Sequence, residues 1–147
     1  MLLVNFRLKK SMIAVLGLCV AMVLALSVLL SANNAPKGSD TLDRLAYLIK
    51  LGYSIDDGSE IETEIKIPED FGEIYKKYND TQLKAGFDLT DYSGQKATMY
   101  TYSVSNYKDL KGVYANLIVV NDKIVGGDIS SIENGGFTLP LLEISKQ

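Results

Sequence analysis

The sequence predicts an α+β domain carried behind a single membrane-spanning helix. Three observations predict it. An uncharged run of 21 residues stretches from Ser11 to Ser31. Two segments further on carry apolar residues at helical spacing, with one alternating segment between them. Three strand-like runs then follow in succession. Helices grouped ahead of strands point to an antiparallel sheet of about four strands with two helices on one face, and not to a βαβ unit.

As a helix rising about 1.5 Å per residue, the run SMIAVLGLCVAMVLALSVLLS is long enough for a hydrocarbon core about 30 Å thick. Arg7, Lys9 and Lys10 precede it, and the first charge after it is Lys37 in an acidic context. The positive-inside bias therefore places residues 1–10 in the cytoplasm and the domain outside it. A cleaved signal peptide competes with this reading, because Leu30-Ser31-Ala32 has small residues near a cut after Ala32. The run is longer than the usual apolar core of such peptides, and Pro36 follows Ala35, which favours a retained anchor at 11–31. Leu18 directly before Cys19 argues against lipidation of that cysteine.

Residues 32–40, with Pro36 and Gly38, read as a flexible linker, and the domain as 41–147. Ser39 or Asp40 can cap a first helix with the apolar stripe Leu42, Leu45, Ala46, Ile49, and Gly52 suits its left-handed stop. From Glu60 to Ile67 apolar and Thr side chains alternate with Glu60, Glu62, Glu64 and Lys66, the period of a half-buried strand. Pro68, Glu69 and Asp70 suit the start of a second helix with the stripe Phe71, Ile74, Tyr75, Tyr78, ending before Gly86. The runs 96–105, 113–120 and 123–131 read as a meander. If Asn121-Asp122 is a two-residue turn, Asn116 faces Gly127 and Ala115 faces Asp128. Val113–Val120 is apolar on both faces apart from Asn116, as expected of a central strand.

Composition narrows the chemistry. Of 15 Lys and Arg and 18 Asp and Glu, three cations and no carboxylate precede residue 36, which leaves a net charge of −6 downstream. Such a surface repels phosphate backbones, so no nucleic-acid partner is expected. The chain has no histidine, and its single cysteine lies in the apolar run. Ser-His-Asp and Cys-His catalysis and His or Cys metal ligation are thereby removed from the domain. Asp56-Asp57-Gly58-Ser59-Glu60 lacks the alternating ligands of an EF-hand, so no metal and no cofactor is expected. The sequon Asn79-Asp80-Thr81 matters only in a eukaryotic secretory pathway.

The candidate binding residues are Asn116, Asp128, Tyr100 and Tyr102. Gly126-Gly127-Asp128 places a glycine pair in a strand, the mark of a bulge or of close backbone approach. Asp128 and Asn116 then either anchor a ligand in a small concavity or serve the fold through local hydrogen bonds. Tyr100 and Tyr102 point to one face with Val104, where they form either an aromatic platform or part of the core.

Ile67-Pro68-Glu69-Asp70-Phe71, Gly86-Phe87-Asp88-Leu89, Tyr100-Thr101-Tyr102, Val113-Tyr114-Ala115-Asn116-Leu117 and Gly126-Gly127-Asp128 stand in an order that resembles domain of unknown function 4830, a family of small membrane-anchored proteins of Gram-positive bacteria. The resemblance spans most of residues 41–137 and implies a cell-envelope setting and an α+β domain, with no activity to carry over. The tail Gly136-Phe137-Thr138 departs from the family's Gly-Phe-Met-like run. The expected function is a non-enzymatic interaction or sensing module that binds an envelope protein or small ligand. The alternative is an envelope hydrolase using two of Asp88, Asp91 and Asp128.

Overall fold

The computed structural model describes Met22, residues 35–133 and residues 135–146. The expected membrane span at 11–31 therefore lies outside the described residues except for Met22, and among the described residues no helix is long and apolar enough to cross a membrane.

Helix α1 (Thr41–Lys50) begins at Asp40, whose side chain accepts the Asp43 N–H at 2.8 Å, and ends ahead of Gly52 at φ +91°. Strand β1 (Ile61–Lys66) follows, then α2 (Glu73–Lys84), and then β2 (Lys96–Val104), β3 (Val113–Val120), β4 (Lys123–Ser131) and β5 (Phe137–Pro140). The strands form one antiparallel sheet in the order β1-β2-β3-β4-β5. The short fifth strand, unforeseen in the sequence, ends in a proline, which closes an edge to further pairing.

Alternation along the central strands divides the core. Tyr102, Val104, Val113, Ala115, Leu117, Val119 and Ile129 form one cluster with Leu48 of α1. Ala97, Ile118, Val120 and Val125 form a second, with Tyr78 of α2 packed against it. Because successive strand residues point to opposite faces, the two helices lie on opposite faces of the sheet and not on one. That arrangement is why β3 is apolar on both sides.

Both helices also bury the side chains that a periodicity argument would turn outward. In α1, Leu42 and Ile49 are 77% and 62% exposed, while Arg44 and Leu48 are buried. Helix α2 starts at Gly72, later than Pro68 suggested, leaves Ile74 83% exposed, and buries Asn79 and Gln82. These side chains have partners inside the fold: Arg44 bonds Tyr102 of β2, Gln82 accepts the Gly127 N–H of β4, and Asn79 bonds Asp88 and the Leu89 N–H of the loop after α2.

Two local findings correct the sequence reading. The expected tether is ordered over its last part: Gly38 N–H donates to Asp122 O, Ile124 N–H donates to Pro36 O, and Gly38 is buried against Ile124. The hairpin register also shifts. Val119 pairs with Ile124, but Ile118 pairs with Gly126, so Val125 is an extra residue and Asn116 faces Asp128, not Gly127.

The glycine pair beside the bulge permits close approach. A Cβ at Gly127 would lie 2.7 Å from Leu141 Cδ2 and 2.8 Å from the carbonyl oxygen of Asn116, whereas one at Gly126 would meet only side-chain atoms, the nearest at 3.0 Å. Gly127→Ala is expected to destabilise the domain by about 1–3 kcal/mol, and Gly126→Ala by clearly less, in denaturant unfolding of the two variants. Equal effects would show that backbone approach at Gly127 is not the constraint.

Candidate functional site

A chain of hydrogen-bonded polar side chains crosses the second face. Thr101 on β2 donates to Asn116 Oδ1 on β3 at 2.7 Å. Asn116 Nδ2 donates to Asp128 Oδ1 at 2.8 Å and to Ser130 Oγ at 2.9 Å, both on β4. Tyr78 of α2 donates its hydroxyl to Asp128 Oδ2 at 2.7 Å. Thr101, Asn116 and Asp128 are direct cross-strand partners, so the bulge at Val125 is what brings them into line.

Asp128 is 4% exposed and held by neutral donors. Burial raises its pKa above the ordinary carboxylate range, with the hydrogen bonds from Tyr78, Asn116 and Ser130 opposing part of the shift. The Tyr78 hydroxyl is raised as well, first by burial and then by the neighbouring carboxylate, so it remains a donor. One turn along α2, Gln82 Oε1 accepts the Gly127 N–H at 2.7 Å. Its Nε2 is the one buried side-chain polar atom without a partner among the described residues. Asn79 accepts the Leu89 N–H and donates to Asp88, so the sequon asparagine is 7% exposed with both amide atoms engaged.

The two tyrosines lie on the first face under Arg44. Its Nε donates to the Tyr102 hydroxyl at 2.8 Å, Nη1 to Gly38 O at 2.9 Å, and Nη2 to both oxygens of Glu60 at 3.0 and 3.1 Å. The guanidinium carbon stands 3.5 Å from the centroid of Tyr100. Tyr102 in turn donates to Glu60 Oε2. Burial pushes the Glu60 pKa upward, but the bonds from Tyr102 and Arg44 outweigh it and leave the carboxylate below its usual range. The face of Tyr100 is thus occupied from within the chain.

Surface depressions adjoin the two tyrosines. One of about 440 Å³ lies beside Tyr100 and is rimmed by Glu64, Lys66 and Lys96, a mixture of signs. The other, of about 420 Å³, runs between α1 and the 53–60 loop. Leu45, Ile49, Tyr53 and Ile55 line it together with Asp56, Asp57, Glu60 and Tyr102. Neither contains Asn116 or Asp128.

The model of the family described as Domain of unknown function (DUF4830) matches residues 47–129, more than half of the chain. The chain belongs to that family. The matched DUF4830 segment contains Tyr78, Gln82, Tyr100, Tyr102, Asn116 and Asp128, while Arg44 and β5 lie outside it. No curated protein and no solved structure matches the chain.

Sequence reasoning named Asn116, Asp128, Tyr100 and Tyr102 but missed the residues that engage them. Tyr78 was counted in an apolar stripe, although its hydroxyl was a signal that one end needs a partner. Arg44, four positions before Leu48 and so on the same side of the helix, was the corresponding signal in α1.

Because the Asp128 pKa is raised in the folded state, its proton stabilises the fold fully below the unfolded value of about 3.9, and that contribution is lost as pH rises through the folded pKa. Glu60, with a lowered pKa, acts in the opposite sense. Asp128→Asn should therefore gain stability relative to the native chain progressively as pH rises above about 4, read from denaturant midpoints across pH 3–8. A pH-independent difference would contradict the assignment.

Proposed function

We propose that residues 11–31 are retained as a membrane span, that residues 1–10 face the cytoplasm, and that the DUF4830 domain is an extracytoplasmic interaction or sensing module of the cell envelope. The observation that carries this reading is how the polar and the exposed apolar side chains are disposed. Asp128, Asn116 and Tyr78 are engaged with one another on one face of the sheet and Arg44 with Glu60 and Tyr102 on the other, whereas Leu42, Ile49 and Ile74 face outward. A domain organised in this way offers a surface. The hydrolase alternative calls on Asp88, Asp91 and Asp128; Asp128 lies under Tyr78, and Asp88 accepts from Thr90 and Asn79.

The uncharged run, the basic residues before it and the acidic domain after it support the topology. External protease applied to intact cells should digest the domain and leave a membrane-embedded fragment of roughly 30–40 residues, the length of the span with its flanks. A full-length chain protected until lysis would contradict the topology. A chain recovered without residues 1–32 would contradict retention of the anchor.

A further inference from the structure

The groove between α1 and the 53–60 loop combines apolar and acidic lining. Leu45, Ile49, Tyr53 and Ile55 supply the apolar part, and Ile49 is 62% exposed. Along α1 the apolar surface continues past the groove through Ala46 to Leu42, which is 77% exposed. From residue 42 to residue 49 this stripe extends about 10 Å along the helix, so an elongated partner covers it better than a compact molecule does. Asp56, Asp57 and Glu60 also line it, and no lysine or arginine does. Asp56 accepts from Ser103, and Asp57 is exposed beside the turn at Gly58. Of the cations on α1, Arg44 is committed to Glu60, Tyr102 and Gly38, and Lys50 stands in the last turn beside Ile49, outside the groove lining.

The geometry points to this groove as the docking site for a segment of a partner protein that carries apolar side chains followed by lysine or arginine. The apolar residues fill the strip from Leu42 to Ile55, and the cation meets Asp56 and Asp57. Charge complementarity selects this occupant over an anionic lipid surface, which the carboxylates of the lining repel, and over a second copy, whose own groove lining brings carboxylates and no cation. The inference rests on the interaction-module reading and specifies the partner class for it.

The test uses the full chain in nanodiscs of neutral lipid. Twelve-residue synthetic peptides with leucines at helical spacing, flanked by either Lys or Glu, are titrated by fluorescence anisotropy against the native chain, Ile49→Asp and Asp57→Asn. Lys-flanked peptides should bind, Glu-flanked ones should bind at least about tenfold more weakly, and raising salt should narrow the difference. Ile49→Asp should weaken binding at least about tenfold, and Asp57→Asn should weaken chiefly the Lys-flanked series. Both positions are exposed, and an unchanged thermal midpoint verifies that the variants fold.

Equal affinity for both peptide series, or indifference to Ile49→Asp, overturns the proposal. So does concentration-dependent dimerisation abolished by Ile49→Asp, which assigns the face to a second copy, or binding to anionic vesicles without peptide binding, which assigns it to lipid. If peptides bind as expected but protease mapping places the domain in the cytoplasm, the docking site stands and the envelope setting fails. The reverse pair of results removes the site and leaves the setting intact.

Discussion

The hydrogen bond from Tyr78 to Asp128 is the interaction on which the arrangement of this domain depends. Helix α2 has little apolar surface with which to hold the sheet, since its buried positions include Asn79 and Gln82 and its largest aliphatic side chains point outward. It is held by side-chain bonds to β4: Tyr78 to the Asp128 carboxylate, and Gln82 to the Gly127 amide. Both require the helix to come close to the strand, and the glycine pair gives room for it. The bulge at Val125 makes the same bonds available, because it turns Asp128 to the face that α2 covers and opposes it to Asn116. A carboxylate buried without a cation is costly, and the three neutral donors around it limit that cost only while the helix is in place.

Arg44 is the counterpart on the other face. Its guanidinium joins α1, the 36–38 segment, the start of β1 and the tyrosines of β2, so one side chain ties together parts of the chain that are remote in sequence. Each helix is thus fixed by a polar anchor aimed into the sheet. Some of its apolar residues are left exposed, and it is this division of labour that gives the domain an outward-facing apolar groove beside a buried polar anchor. The groove adjoins the Arg44 anchor, since Glu60 and Tyr102 also line it, while Ile49 and Asp57 supply no hydrogen bond to that anchor.

The α+β class, β2 to β4, the central place of β3 and the Asp40 cap were legible in the sequence because they follow from period, turn chemistry and capping, all of which are local. The placement of the helices was not. Their apolar stripes suggested a conventional amphipathic burial, and only long-range partners such as Glu60 for Arg44 or Asp128 for Tyr78 make polar burial favourable. The hairpin register failed for a related reason: Val125 looks like any strand residue, and a bulge there is decided by packing against both core clusters. The glycine pair did announce a close approach, but the approaching groups, Gln82 from 45 residues earlier and Leu141 from the tail, have no local signature.

A double-mutant cycle across Tyr78 and Asp128 tests the central claim most directly. Tyr78→Phe, Asp128→Ala and the combined variant would be unfolded in denaturant at neutral pH and their stabilities compared with that of the native chain. A charge-assisted bond that anchors α2 predicts a coupling energy of about 1–3 kcal/mol, with the double variant much less destabilised than the sum of the single ones. Additive effects, with a coupling indistinguishable from zero, would mean that α2 is held by something other than this bond and would contradict the account.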